Sequence, residues 1–478
     1  MIILENLTCG YTDKPVLKAI NWHIRTGENW VLTGGMGAGK TTLTKTLLGQ
    51  IRILEGKLHY RFLENPESYE ERKQKIHLVS FTDSGKLFQS VNAVHYYQQR
   101  YQAFDSDGHL TVQEYLEDGG LDLQNTHHLE LIRLLKLEPL LNLERIKLSS
   151  GQTRKLLLCK VFFGQPRILI LDNPHVGLDD QSRHTFNEHL DLLVNHFNQQ
   201  LVLSGHFRGL PKCINNQLHL NKGAIEYCGA LQRPERESSY RKKSIEIELL
   251  PILRQDCEIK NVEQILNFDH LQIKYANKTV IEDLDWEVKK GEKWLVRGPN
   301  GSGKSTIISL IYGDHPQAYS NKITLFDRRR GTGESIWDIK KKIGFTSSEL
   351  HSYFNYNHRA AEVVLSGLTD TFFPGNGDPD KMHLCKLLFE YFDLSEEMQT
   401  PFQKLSTGMQ RLLFFMRALI KFPPVLLLDE PYQGLDRVSI ERCNTLLESI
   451  LTPDHTLIFI SHFDDEVPNI VTRELILK

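Results

Sequence analysis

The sequence predicts an α/β fold built twice, with a phosphate-binding loop in each half, and three observations predict it. G-x-x-x-x-G-K-[ST] occurs at Gly34 to Thr41 and again at Gly298 to Ser305, each time between a short apolar run and a helix-like stretch. The same landmarks recur in the same order: GGMGAGKT answers GPNGSGKS, LSSGQ answers LSTGM, and ILILDNP answers VLLLDEP. Their registers also agree, since Lys40 and Lys304 lie 264 apart while Gly151 and Gly408, and Asp172 and Asp429, lie 257 apart.

Taken in order, the runs NWVLT and KWLVR read as strands leading into the phosphate loops, and ILILD and VLLLD as fully buried strands. A charged middle region follows each phosphate loop, and helices follow LSSGQ and LSTGM. The drop in spacing from 264 to 257 places seven extra residues in the first half, in a polar stretch. We expect a first domain over 1–228, a solvated linker over 229–264 that includes RPERESSYRKKS, and a second domain over 265–478.

Composition bounds the partners. Lys and Arg number 57 against 60 Asp and Glu in 478 residues, a net charge of -3, so no global field draws the chain to nucleic acid or to an anionic membrane. The seven cysteines form no C-x-x-C pair, which argues against zinc, iron-sulfur and disulfide frameworks. No run approaches the roughly 20 apolar residues of a bilayer span, and no signal peptide opens the chain, so a cytoplasmic protein without membrane insertion is expected.

The phosphate loops carry the first piece of chemistry. In Gly34, Gly35, Met36, Gly37, Ala38 and Gly39, and in Gly298, Pro299, Asn300, Gly301, Ser302 and Gly303, the glycines let backbone N–H groups turn toward the phosphates of ATP. Lys40 and Lys304 then reach the β- and γ-phosphates, Thr41 and Ser305 offer a hydroxyl to Mg²⁺, and Thr42 and Thr306, next in line, are expected to bind ATP with them. Asp172 and Asp429 end the buried strands where a carboxylate completes the Mg²⁺ site. Tyr11 and Tyr275 each precede their lysine by 29 residues, a place from which a ring can stack on adenine.

The next position separates the halves. Glu430 follows Asp429 and can take a proton from the attacking water, whereas Asn173 follows Asp172 and its amide cannot. His206 and His462 end β-rich runs 34 and 33 residues after those aspartates and are expected to contact the γ-phosphate. The other histidines, His127 and His128 among them, have no metal-ligand partners at useful spacing and read as solvated.

LSSGQ and LSTGM, each upstream of a strand ending in aspartate, resemble the signature motif of the ATP-binding cassette (ABC) family, and the order of landmarks resembles that family over nearly the whole chain. The resemblance implies two P-loop NTPase domains of ABC type, each with a RecA-like α/β core, an antiparallel β subdomain and a helical subdomain. It implies head-to-tail pairing, so that Lys40, Thr41, Asp172, Asn173 and His206 would face Ser406 and Gly408, and Lys304, Ser305, Asp429, Glu430 and His462 would face Ser149, Gly151 and Gln152. Gly177 to Asp179 and Gly434 to Asp436 look like the D-loops of that interface. GDHPQAYSN, DEPYQGLD and YYQQRY are similar to tandem cassettes of the molybdenum-transport and photorepair group.

Two departures stand out: Asn173 replaces a glutamate, and the place of the Q-loop glutamine reads Phe81 and Ser348. In the family that glutamine contacts Mg²⁺ and relays to a transporter's membrane domain. The aromatic stretch HSYFNYNH (351–358) reads as a partly packed loop or a partner contact, and Arg328, Arg329 and Arg330 as a solvated turn.

The expected function is an Mg²⁺-dependent ATPase that works mainly at the Glu430 site and serves an import system for molybdate or another oxyanion through an integral-membrane permease, which would hold it at the inner face of the membrane. The alternative is a cytoplasmic ABC ATPase of regulation, DNA repair or the ribosome. Translation-type tandem cassettes resemble a pattern with two glutamates and a longer charged linker, and fused sugar-importer ATPases carry the degenerate half second; this chain does neither.

Overall fold

The structure, a computed structural model, describes residues 1–11, 14–81, 110–145, 148, 150–232, 262–275, 278–347, 350, 354, 358–374 and 378–477. The chain divides into two compact units, Met1–Glu237 and Ser238–Lys478.

In the first unit β1 (Ile2–Gly10), β2 (Leu17–Ile24) and β3 (Trp30–Gly34) lead to α1 (Lys40–Leu47), β4 (Arg52–Tyr60), α2 (Tyr69–Lys75) and β5 (Ile76–Ser80). After a stretch outside the described residues come α3 (Val112–Asp118), α4 (Thr126–Leu134), α5 (Ser150–Phe163), β6 (Ile168–Asp172), α6 (Asp180–Phe197), β7 (Gln200–Ser204), β8 (Asn216–Asn221) and β9 (Ala224–Ala230). The main sheet runs β5-β6-β7-β3-β8-β9, parallel except for the last strand. An antiparallel sheet, β2-β1-β4, forms the second layer.

The apolar runs explain this architecture. Every residue of Ile168–Asp172 is buried, and successive side chains serve opposite faces: Ile168 and Ile170 join the core under the antiparallel sheet and α1, Leu169 and Leu171 the core under the helices. In β2 the inward positions Ile20, Trp22 and Ile24 alternate with exposed ones, as a strand with one wet face requires.

The second unit repeats the plan with β10 (Gln264–Tyr275), β11 (Lys278–Lys289), β12 (Lys293–Arg297), α7 (Lys304–Tyr312), β13 (Lys322–Leu325), β14 (Arg328–Arg329), α8 (Ile336–Lys340) and β15 (Ile343–Thr346). There follow α9 (Ala360–Leu365), α10 (Pro379–Tyr391), α11 (Thr407–Leu419), β16 (Val425–Asp429), α12 (Arg437–Ile450), β17 (Thr456–Ile460) and β18 (Arg473–Ile476). Its parallel sheet is ordered β15-β16-β17-β12-β18 and its antiparallel sheet β11-β10-β13-β14. In both units the phosphate-loop strand is parallel to the two strands that follow the signature helix, so all three open onto one sheet edge.

Some expectations need correction. The first sheet runs on to Ala230, two residues past Cys228, where Ala230 pairs with Asn216, and β10 begins at Gln264. The interior of the expected linker, 233–261, and the YYQQRY stretch lie outside the described residues. Arg328 and Arg329 are exposed, but Arg330 is buried and held by Glu334 at 2.7 Å. His127 and His128 are packed rather than solvated: His128 accepts from the Asp122 N–H at 3.0 Å and lies 4.4 Å from the Phe163 ring, while His127 lies 4.6 Å from that of Phe197. Of HSYFNYNH only Phe354 and His358 are described; Phe354 is buried among Phe372, Phe402 and Phe414.

Candidate nucleotide sites

Each phosphate loop is pinned from behind and open at its crest. Ala38 and Ser302 are buried, whereas Gly35 and Gly37, and their counterparts Pro299 and Gly301, are exposed. Gly39 (φ 99°) and Gly303 (φ 95°) start α1 and α7 from left-handed backbone, and an added Cβ would come within 2.6 Å of Leu17 Cδ2 and 2.9 Å of Ile281 Cγ1. The Lys40 ammonium donates to the carbonyls of Gly34 (2.7 Å) and Gly35 (2.9 Å), and Lys304 to those of Gly298 (2.7 Å) and Pro299 (2.9 Å). Each lysine thus folds over its own loop, at the amino end of a helix that favours anionic groups.

Thr41 donates its hydroxyl to Asp172 Oδ2 at 2.9 Å, joining the end of β6 to the start of α1. Burial pushes the Asp172 carboxyl above its usual range, against the opposing hydrogen bonds of Ser204 and Thr41 and the charges of Lys40 and Lys45. A hydroxyl and a carboxylate meeting beside the loop form a hard oxygen donor set, which fits Mg²⁺. Thr41 and Asp172, with Ser305 and the buried Asp429 in the second unit, are the residues that would hold it.

The halves diverge beyond those aspartates. Glu430 takes up left-handed backbone (φ 45°) and aims its carboxylate at two partners: His462 Nε2 stands 3.2 Å from Oε1, and Gln433 Nε2 donates to Oε2 at 3.0 Å. Burial raises the Glu430 pKa, but the hydrogen bond and charge of His462 and the charges of Lys304 and Arg411 outweigh it and hold the carboxyl below its ordinary value. Asn173 has the same backbone (φ 54°), yet its amide donates to Asp172 Oδ1 at 3.2 Å. It lies against Gly205, where an added Cβ would sit 2.8 Å from Asn173 Oδ1. His206 follows directly, half-buried at the end of the β7 run.

The signature segments open helices. Ser406 caps α11, its hydroxyl accepting from the Met409 N–H at 3.3 Å, with Gly408 buried in the first turn. Gly151 and Gln152 lie in the first turn of α5; Ser149 and Ser348 lie outside the described residues. Asp179 and Asp436 cap α6 and α12 by accepting from Ser182 (2.7 Å) and Ser439 (2.8 Å), a local role the sequence did not suggest. Phe81 is buried, edge-on to Phe186 at 6.1 Å and beneath the Arg154 guanidinium at 5.0 Å.

The two tyrosines differ as well. Tyr11 is 59 % exposed, with the Lys45 ammonium 6.0 Å from its ring centre. Tyr275 is half-buried and its hydroxyl is bonded to His315 Nε2 at 2.7 Å. The Gln317 N–H donates to His315 Nδ1 at 3.2 Å, which leaves the proton of the neutral ring on Nε2. Burial keeps that ring neutral, lowering its pKa to about 4. Ile51 stands at the matching place in the first half. The pairing of His315 with Tyr275 and of Gln433 with Glu430 escaped sequence reasoning, although subtracting 264 or 257 would have flagged both, since the counterparts are Ile51 and Val176.

Away from these sites His270 is ringed by Asp283 (2.6 Å), Asp285 (3.7 Å) and Asp269 (3.8 Å), so it does have carboxylate partners, which the spacing did not show. The Asp283 hydrogen bond and the three negative charges raise its pKa. Among the described residues no helix is long and apolar enough to cross a membrane.

Comparison with known proteins agrees with this geometry. The family model described as ABC transporter matches twice, over residues 17–176 and 281–433. An uncharacterized ABC transporter ATP-binding protein of Schizosaccharomyces pombe is 30 % identical, over 96 % of this chain and 94 % of its own. The ABC transporter ATP-binding protein ModF of Escherichia coli is also 30 % identical, over 97 % of this chain and 94 % of its own. An uncharacterized ABC transporter ATP-binding protein of Saccharomyces cerevisiae is 25 % identical, over 94 % and 90 %.

Proposed function

The chain belongs to the ABC transporter family as a tandem ATP-binding cassette ATPase, and from that premise we propose that it binds two ATP and hydrolyses mainly the one held by the second cassette. The single observation that carries this reading is the pair Glu430–His462 at 3.2 Å, set against Asn173 turned onto Asp172.

In the second cassette Lys304 and the loop amides hold the β- and γ-phosphates. Bound Mg²⁺ would neutralise phosphate charge there. Glu430 orients a water and takes its proton as the water oxygen bonds to the γ-phosphorus, while the bond to the bridging oxygen breaks and ADP leaves with the electron pair. In this reading His462, 3.2 Å from Glu430, also contacts the γ-phosphate. In the first cassette Lys40 and Thr41 bind in the same way, but Asn173 has no basic oxygen for the proton, so that ATP acts as a clamp. Family pairing would complete each site with the opposite signature, Ser406 and Gly408 for the first and Ser149 and Gly151 for the second.

The family's description as ABC transporter supports a membrane transport system as the machine this ATPase serves, and the sequence resemblance to the molybdenum-transport group is what points to import of an oxyanion such as molybdate. Phe81 favours the other reading, a non-transport ATPase, because a buried ring cannot offer the polar side chain by which a cassette relays to a membrane partner. Co-purification of a membrane protein, together with lost molybdate uptake on deletion, would decide for the importer; normal uptake would decide against it. For the ATP chemistry, Glu430→Gln should retain two ATP per chain after gel filtration with turnover lost. Retention of one ATP would refute the clamp.

A further inference from the structure

Glu430 is held from one side by His462, and from the other by a chain that begins in the signature helix. Arg411, in the second turn of α11, donates from Nη2 to Gln433 Oε1 at 3.0 Å, and Gln433 Nε2 donates to Glu430 Oε2 at 3.0 Å. The amide is therefore used at both ends, so its orientation is fixed: only Nε2 toward the carboxylate and Oε1 toward the guanidinium satisfies both partners. Arg411 keeps its charge there although burial lowers its pKa to about 10, against the opposing charges of Glu430 and Asp429.

The first cassette supplies an internal comparison. Arg154 occupies the place of Arg411, 257 residues earlier, and its guanidinium donates to the backbone carbonyl of Val176, the counterpart of Gln433. The turn hydrogen bond is kept, Val176 N–H donating to the Asn173 carbonyl at 3.3 Å as Gln433 N–H does to that of Glu430 at 3.2 Å, but valine has no side-chain polar atom with which to reach the side chain at 173. The neighbouring contacts are otherwise kept: His175 bonds Asn187 at 2.7 Å where the Tyr432 hydroxyl bonds Asn444 at 2.7 Å. The half with a general base has the relay, and the half with Asn173 does not.

We infer that Gln433 is a positioning residue for Glu430, and that the Arg411–Gln433–Glu430 chain makes the seating of the signature helix α11 a condition for turnover in its own cassette. The inference rests on Glu430 being the general base. A carboxylate with one oxygen held by His462 alone can rotate about its last torsion; the Gln433 donor removes that freedom and fixes which oxygen faces the water. Because Arg411 lies about one turn from Ser406 and Gly408, a ligand that pulls on the start of α11 moves the guanidinium and hence the amide.

The test uses the full-length chain. Gln433→Val brings in the sister cassette's residue, and Gln433→Met fills the amide's volume without a donor for Glu430 and with only a weak sulfur acceptor for Arg411. Both should lower kcat by about ten- to hundred-fold, the loss of one hydrogen bond to a charged group, with the KM for ATP changed by less than about three-fold. Arg411→Met should cost a similar factor, and the double variant with Gln433→Val no more than the worse single variant, because the two side chains act as one chain. Wild-type kcat in Gln433→Met, or losses that multiply in the double variant, would overturn the inference. Glu430→Gln separates the two levels. If it keeps wild-type turnover, the general-base reading fails; if it abolishes turnover while Gln433→Met does not, only the positioning role fails.

Discussion

Replacing His315 by isoleucine, the residue its sister cassette carries as Ile51, tests how the second unit depends on pH. His315 is 1 % exposed, and burial lowers its pKa from 6.5 to about 4. Between those values the unfolded chain is protonated at this ring and the folded chain is not, so the unfolded state binds more protons. The stability that the neutral ring contributes is therefore fully present above pH 6.5 and is lost as pH falls toward 4. The two pKa values give a loss of about 2 kcal/mol between pH 7 and pH 5, rising to about 3 kcal/mol near pH 4. Urea unfolding at pH 7 and pH 5, read by hydrogen exchange of peptides from β10 and α7, isolates the second unit's transition. His315→Ile should be favoured over wild type by about 2 kcal/mol more at pH 5 than at pH 7. His455, also lowered to about 4 by burial, is present in both proteins and cancels. Parallel pH dependences would refute the assignment of a buried neutral ring at this position.

Other perturbations separate the parts of each site. Tyr275→Ala removes a ring packed on the core and tied to His315, and should raise the KM for ATP several-fold; Tyr11→Ala, at an exposed position, should leave stability within about 0.5 kcal/mol as judged by thermal unfolding. Thr41→Val strips a donor from the buried Asp172 and should destabilise the first unit by about 1–3 kcal/mol, measured by urea unfolding. Lys40→Ala should reduce ATP stoichiometry from two to one in isothermal titration, with hydrolysis at the second site still detectable, whereas Lys304→Ala should abolish turnover.

Much of the architecture was legible because its signals are local or repeat. The two phosphate loops carry glycines at positions whose backbone no other residue adopts easily, and ILILD and VLLLD carry apolar side chains on both faces, as strands buried on two sides must. The contrast of Glu430 with Asn173 was legible because a single carboxylate oxygen changes the chemistry. The partners of those residues were harder to read, since Arg411, Gln433 and Glu430 meet only after α11 packs beside the turn that follows β16. His127 and His128 were misread as solvated because nothing in their own segment shows that Phe163 and Phe197 cover them. The His270 cluster escaped for a similar reason: pairing of β10 with β11 brings Asp283 and Asp285 across from His270. Asp179 and Asp436 suit a helix cap as well as an interface, and the hydrogen bonds to Ser182 and Ser439 show the cap.

The central claim, that one cassette turns over and the other holds, is tested most directly by comparing the steady-state ATPase rates of Glu430→Gln and Asn173→Gln in the full-length chain. Loss of the general base should slow turnover by about 10²- to 10⁴-fold in Glu430→Gln, while Asn173→Gln, which exchanges one amide for another, should keep the wild-type rate. Equal losses in the two variants, or a Glu430→Gln protein that hydrolyses ATP as fast as wild type, would contradict the account.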